Sequence, residues 1–302
     1  MAALDAHRRL PMVEVDAATP VVGAADEVPL IGTLRGQVTA VRVVPHVAHR
    51  PPRRRPNISQ PAASGTFAIG GDLPVARLGF GTMRLPAGIA VLCRAVELGV
   101  NHIDKVGPML GPDGTPTLQA TLGQLRGLVE DNLRELDVDH LDLVYLRVGG
   151  RDAPGGEPIT ERFAALAKLR AEGLIRHLGV SNVDAAQLAE ARAIAPVAAV
   201  QNAFHVHATA DAALLAECTR SGTAFVPFFP LGGGLDPIDT TRLEKTAARH
   251  GATVQQVALA ALLAASPVML PIPGTGSLAH LAENVGAASV QLTPEDIASL
   301  AG

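Results

Sequence analysis

From residue 75 to the C-terminus, the apolar positions switch repeatedly between two periods. Short apolar runs (LGFGTM, VNHID, HLDLVYLRV, IRHLGVSN, VAAVQNAF, AFVPFFP and VMLPIPG) read as strands buried on both faces. Between them lie segments with helical spacing: IAVLCRAVELG with Gly99 as its stop, roughly 116–137, ITERFAALAKLRAEG, DAAQLAEARAIA and DAALLAECTRSG. Further helices are predicted around 240–250, over 253–265, from Ser277, and over TPEDIASLAG, where Thr293 caps and Pro294 takes the first helical position. Ahead of this series, TFAIGGDLPVARLGFG predicts a hairpin turning at Gly-Gly-Asp. Strands alternating with helices imply a parallel sheet. Seven such units, with no GxGxxG at the first strand–helix turn, predict an α/β fold of the TIM-type (β/α)8 class rather than an open dinucleotide-binding sheet. A closed eight-stranded barrel needs one more strand, so this region is one βα unit short.

The first sixty residues carry no chemical motif. VEVDAATPVVG and QVTAVRVVPHV (37–47) have the β-branched content of strands. RPPRRRP (50–56) sets four arginines among prolines, with no aromatic to stack on bases, and reads as a solvated linker. The expected division is an extension over 1–56 and a barrel over 57–302. An orphan strand and a missing strand in one chain suggest that QVTAVRVV inserts into the barrel. The alternative is an arm beside a barrel with an open edge, a liability that proteins usually cover.

Composition narrows the function classes. The chain has 302 residues, 48% hydrophobic, with no Trp, one Tyr and seven Phe, so Ala, Val and Leu must fill the core. No uninterrupted apolar run reaches the roughly 20 residues of a membrane span. Charges interrupt the N-terminus too often for a signal sequence. Cys93 and Cys218 fall on helices as small apolar residues and give no disulfide framework. A cytoplasmic protein is expected. The net charge of −4 argues against nucleic-acid partners and leaves a small-molecule ligand.

Six motifs then occur in order: GGDLPVARLGFGTMRL, AVELGVNHID, LGVSN, VQNAF, VPFFPLGGG and LPIPGTGSLAHLAENV. Over about residues 65–302 the chain resembles the aldo-keto reductases, NADP(H)-dependent carbonyl reductases on a (β/α)8 barrel. In that family a tyrosine protonates the carbonyl, an Asp-paired lysine lowers the tyrosine's pKa, and a histidine orients the substrate. By this resemblance Asp104 matches the aspartate. Lys105 stands where the family's lysine would be if the segment between them, with the tyrosine, were removed. The tyrosine has no counterpart, and Arg147 stands in the histidine's place. A second, shorter gap falls between GTMRL and GIAVLCRAV. Asp104–Lys105 therefore reads as a remnant of a larger site. Read from the residues alone, it is equally a strand-end cap beside a solvated lysine.

The resemblance implies a better-kept cofactor side. Ser181, Asn182 and Gln201 match residues that bond the nicotinamide carboxamide, and Phe228 matches the aromatic that stacks on its ring. Leu231 and Gly232 match the diphosphate loop, while Thr275, His280, Glu283 and Asn284 match the adenosine end. Only His280 and the N-terminus of the following helix offer positive character to a 2′-phosphate, so weak NADP(H) binding is expected.

Other candidates come from the residues themselves. Arg147 can bind a carboxylate, phosphate or enolate, or pair with Asp104. Tyr145, two residues before it, shares its strand face and reads as a core residue with a satisfied hydroxyl, or as a buried acid. His205 and His207 follow a strand; His205 is a candidate general base, and no third ligand of suitable spacing supports a metal site. Three functions compete: NADPH-dependent carbonyl reduction with a substitute acid, altered or redox-neutral chemistry on a small molecule, and non-catalytic binding of a nucleotide or partner.

Overall fold

The computed structural model describes residues 38–43, 61–83, 89–105, 109–110, 116–117, 119–149, 154–207, 210–234 and 238–301. Only the backbone is described at 38–43, 61–62, 105, 109–110, 116–117 and 301. The 50–56 linker and the first strand-like segment, VEVDAATPVVG, lie outside the described residues.

The strands are β1 (Val38–Val43), β2 (Thr66–Ile69), β3 (Leu73–Ala76), β4 (Phe80–Gly81), β5 (His102–Lys105), β6 (Met109–Leu110), β7 (Pro116–Thr117), β8 (Leu141–Arg147), β9 (Ile175–Ser181), β10 (Ala199–Gln201) and β11 (Ala224–Phe225). The helices are α1 (Ile89–Glu97), α2 (Leu125–Leu136), α3 (Thr160–Ala171), α4 (Ala185–Ile194), α5 (Ala212–Ser221), α6 (Thr240–His250), α7 (Val254–Ala265), α8 (Leu278–Gly286) and α9 (Pro294–Ala301). Seven strands form one sheet in the order β11-β10-β9-β8-β1-β5-β4. Its pairs are parallel except the two made by β1, which runs antiparallel to both neighbours. The β1 part of QVTAVRVV, VTAVRV, thus lies between the second and third strands of the predicted series, with Val41 opposite Asp104 on one side and Leu143 on the other.

The predicted last strand, VMLPIPG, is not a ladder strand, yet its backbone reaches both ends of this sheet. The Phe225 amide donates to Val268 O and the Leu270 amide to Phe225 O, each at 2.8 Å, while the Gly79 amide donates to Pro271 O at 2.9 Å.

Strand alternation sorts the side chains into two cores. Val144, Leu146, Leu178, Val180 and Val200 face outward against α2–α5. Leu143, Tyr145, Ala199, Ala224, Val226, Leu270 and Ile272 face inward and pack on Ile69, Leu73 and Val75 of the β2–β3 hairpin. The hairpin turns at Gly70-Gly71-Asp72, as the sequence predicts, and both glycines have positive φ (63° and 88°).

Several predicted elements come out shorter, two of them for visible local reasons. The helix expected over roughly 116–137 begins at Leu125, after a 3-10 turn over Leu122–Gln124. Thr121 and Gln124 form a capping box there, which starts the helical run late. AFVPFFP keeps only Ala224–Phe225 in the ladder, since Pro227 has no amide to donate and Phe229 turns to φ 54°.

Candidate active site at the C-terminal strand ends

Inward positions of β5, β8, β9 and β10 end in polar side chains rather than apolar ones. Period-two alternation carries the inner column of each strand upward to Asp104, Arg147, Ser181 and Gln201, above apolar Leu143 and Tyr145 on β8 and Ala199 on β10. These four meet. Gln201 Nε2 donates to Asp104 Oδ2 at 3.0 Å, and Ser181 Oγ donates to Gln201 Oε1 at 3.3 Å. Arg147 donates from a terminal guanidinium nitrogen to Ser181 Oγ at 3.2 Å, and its guanidinium carbon lies 5.0 Å from the centroid of the Phe228 ring. The pairing of Arg147 with Asp104 that the sequence allowed operates through space: the guanidinium charge lowers the Asp104 pKa.

Asp104 is fully buried, and its Oδ1 has no hydrogen-bond partner among the described residues. Burial dominates its ionisation and pushes the carboxyl up to about 7, against the opposing pull of Gln201 and Arg147. His102, two residues earlier on β5, is equally buried with neither ring nitrogen partnered among the described residues, and burial lowers it to about 4. Neither feature of His102 is legible in the sequence, where one histidine in VNHID looks like any other.

Tyr145 departs from expectation. It is buried, but its hydroxyl has no partner among the described residues, and burial with the nearby Asp104 charge raises its pKa well above the ordinary phenol value. Its ring occupies the space beside Gly179: a Cβ at that glycine would lie 2.5 Å from the Tyr145 ring. The glycine of LGVSN is thus explained by packing. An unpartnered buried hydroxyl costs about 1–3 kcal/mol. Tyr145→Phe is therefore expected to raise the melting temperature, measured by calorimetry; an unchanged or lower value would mean the hydroxyl has a partner in solution.

The other predicted site residues divide into groups. Lys105 is the last residue of β5, opposite Ala40 of β1. Asn182 adopts φ 61°, which asparagine tolerates, and its amide donates to Val148 O at 2.9 Å. It is buried and shapes the loop after β9. His205 is buried with Nδ1 accepting from the His207 amide at 3.3 Å. Among the described residues, no cluster of three or more His, Cys, Asp or Glu could hold a metal ion.

Leu231 and Gly232 follow the strained Phe229, with the Gly232 amide donating to Phe229 O at 2.8 Å. Thr275 Oγ1 accepts from the Ser277 amide at 3.0 Å, and Ser277 caps α8 by accepting from the His280 amide at 3.4 Å. His280 is exposed at this helix start, Glu283 half-buried, and Asn284 buried. The loop reaches the mouth through contact with β4: a Cβ at Gly81 would lie 2.8 Å from Ile272 O.

Cys218 is a buried apolar residue whose thiol burial pushes up to about 12; Cys93 is half-buried. Among the described residues, no helix is long and apolar enough to cross a membrane.

Comparison with known proteins gives this geometry its relatives. The family model described as Aldo/keto reductase family matches residues 119–302. Pyridoxine 4-dehydrogenase of Escherichia coli (strain K12) is 38% identical over 283 residues, covering 80% of this chain and 98% of that protein. Eighty per cent of 302 is about 240 residues, so roughly forty aligned positions of that relative have no counterpart here. Among solved structures, the thermostable aldo-keto reductase Tm1743 in complex with the inhibitor epalrestat superposes with a TM-score of 0.64 at 26% identity, covering 78% of this chain and 98% of that one. An aldo-keto reductase from Klebsiella pneumoniae in complex with NADPH shares the fold at 23% identity and a TM-score of 0.63, covering 78% of this chain and 93% of that one. These relatives imply the α/β TIM-type barrel; among the described residues the chain shows its largely parallel sheet and helices, and no closed ladder of strands. A family match over more than half of the chain, and a relative covered almost end to end, establish that this protein belongs to the aldo/keto reductase family.

Proposed function

We propose that this protein binds an NADP(H)-type dinucleotide across the strand ends and acts there on a small organic molecule, without the proton-delivering tyrosine and histidine of its family. β1 completes the barrel in place of the missing strand, and the cytoplasm is its setting.

The observation that carries this reading is the group at the mouth. Asp104, Arg147, Ser181 and Gln201 converge beside Phe228, and no tyrosine joins them, because the chain's one tyrosine lies beneath, sealed in the inner core. The roughly forty unmatched positions of the 38% identical relative support the loss of a segment. The residues present suit a dinucleotide best at its adenosine end, where Thr275, Ser277 and His280 gather at the start of α8. A nicotinamide cofactor, when bound, supplies or accepts a hydride. Phe228 offers its ring a face, Ser181 and Gln201 offer its carboxamide partners, and Arg147 offers positive charge to a substrate oxygen.

Losing a positioned proton donor costs about 10²–10⁴-fold in rate. Mixed with NADPH and the 4-aldehyde of pyridoxine, the compound in the E. coli relative's name, this protein should transfer hydride at least a hundredfold more slowly than that relative assayed beside it. Equal rates would overturn the proposal.

One observation favours a second reading, slow carbonyl reduction with Asp104 as the substitute acid. Its free Oδ1 and raised pKa leave it protonated below about 7. Residual reduction would then fall as pH rises through that value, and Asp104→Asn would abolish it.

A further inference from the structure

We propose that Arg147 is a built-in occupant of the nicotinamide position, so that a dinucleotide binds with both halves only after this side chain leaves. The inference rests on the preceding reading, in which Phe228, Ser181 and Gln201 are the nicotinamide's contacts.

Phe228 is half-buried. Part of it packs on the inner core with Val226 and Ile272, and Phe229 meets it edge-on, with ring centroids 5.1 Å apart at 82°. The Arg147 guanidinium lies over its ring at 5.0 Å, within the range of an attractive cation–π contact. A guanidinium is flat, delocalised and positively charged, and it stacks on aromatic faces. An oxidised nicotinamide ring shares each of these properties. A second ring stacked on Phe228 would need its centroid about 4.5–7 Å away, the separation the guanidinium already takes.

The polar contacts repeat the mimicry. Ser181 Oγ accepts from Arg147 at 3.2 Å and donates to Gln201 Oε1 at 3.3 Å, and Gln201 Nε2 is committed to Asp104 at 3.0 Å. The hydroxyl and amide that a carboxamide would use are engaged by the chain itself. In its ionised form Asp104 supports this arrangement by attracting the guanidinium charge within a buried site. Entry of a nicotinamide ring must break the cation–π contact and the Ser181 hydrogen bond together. The adenosine end, at the start of α8, carries no such occupant among the described residues.

The test uses the full-length chain and two probes: NADPH, followed by nicotinamide fluorescence, and 2′,5′-ADP, which represents the adenosine half alone. The native protein should bind NADPH no more tightly than 2′,5′-ADP. Arg147→Ala should bind NADPH roughly tenfold or more tighter, with 2′,5′-ADP affinity unchanged and a new shift in nicotinamide emission. Arg147→Gln keeps a donor for Ser181 but loses the positive charge and the larger guanidinium face; it should fall between, and it carries the test if the alanine variant does not fold. If 2′,5′-ADP binds throughout and neither variant gains affinity for NADPH, Arg147 does not block the position, and only the nucleotide reading survives. If neither probe binds any form, the nucleotide reading fails and the occupant proposal with it.

Discussion

A chain lacking residues 1–56 should lose its cooperative thermal transition, or melt far below the full-length protein. That deletion removes β1, which lies inside the sheet rather than at its edge. It pairs with β5 through Ala40, Val41, Arg42 and Val43 and with β8 through Val38, Thr39, Ala40 and Val41. Without it both neighbours present unpaired amides and carbonyls at positions where Ile103, Asp104 and Tyr145 are buried. At about 1 kcal/mol per ladder hydrogen bond, the loss is on the order of 5 kcal/mol, comparable to the whole stability of many domains. Val41→Pro tests the same point at full length. Val41 faces both Asp104 and Leu143, and a proline in a central strand deletes a ladder donor. Circular dichroism melts of the deletion and of Val41→Pro, each matching the native curve, would show that β1 contributes nothing.

The second large effect concerns two buried groups on β5 that titrate in opposite senses. Burial raises the Asp104 carboxyl from 3.8 to about 7, so the native state holds a proton that the unfolded chain releases between those values. Stability from this group therefore falls as pH rises from about 4 to 7. Burial lowers His102 from 6.5 to about 4, so the unfolded chain takes up a proton that the native state refuses. Stability from that group rises with pH over nearly the same window. The two slopes offset each other in the native protein, and removing one exposes the other. Asp104→Asn should gain on the order of 4 kcal/mol over the native protein at pH 8 and almost nothing at pH 4. Its stability should climb between pH 4 and 6.5, where the native curve is nearly flat. Urea denaturation across this range measures both, and parallel curves for the two proteins would sink the account.

Much of the fold was legible because strand and helix periodicities are local. The Gly-Gly-Asp hairpin, the Gly99 helix stop and the Thr293–Pro294 start all appear where the residues put them. The misses have local causes too. Pro227 and the left-handed Phe229 truncate β11, and the Thr121–Gln124 capping box delays α2. Convergence at the site was partly legible. The family resemblance assigned Asp104, Arg147, Ser181 and Gln201 to one mouth, but no reading of the sequence placed Arg147 on Phe228.

By itself, the sequence determined the succession of strands and helices, the family motifs, and the absence of any tyrosine but Tyr145, since these follow from residue order and short-range geometry. Only the tertiary structure decided that an N-terminal strand runs antiparallel between β5 and β8, that His102 and Tyr145 are buried without partners, and that a guanidinium covers Phe228. Those outcomes depend on which distant segments meet and on how much water their meeting excludes, and no local pattern encodes either.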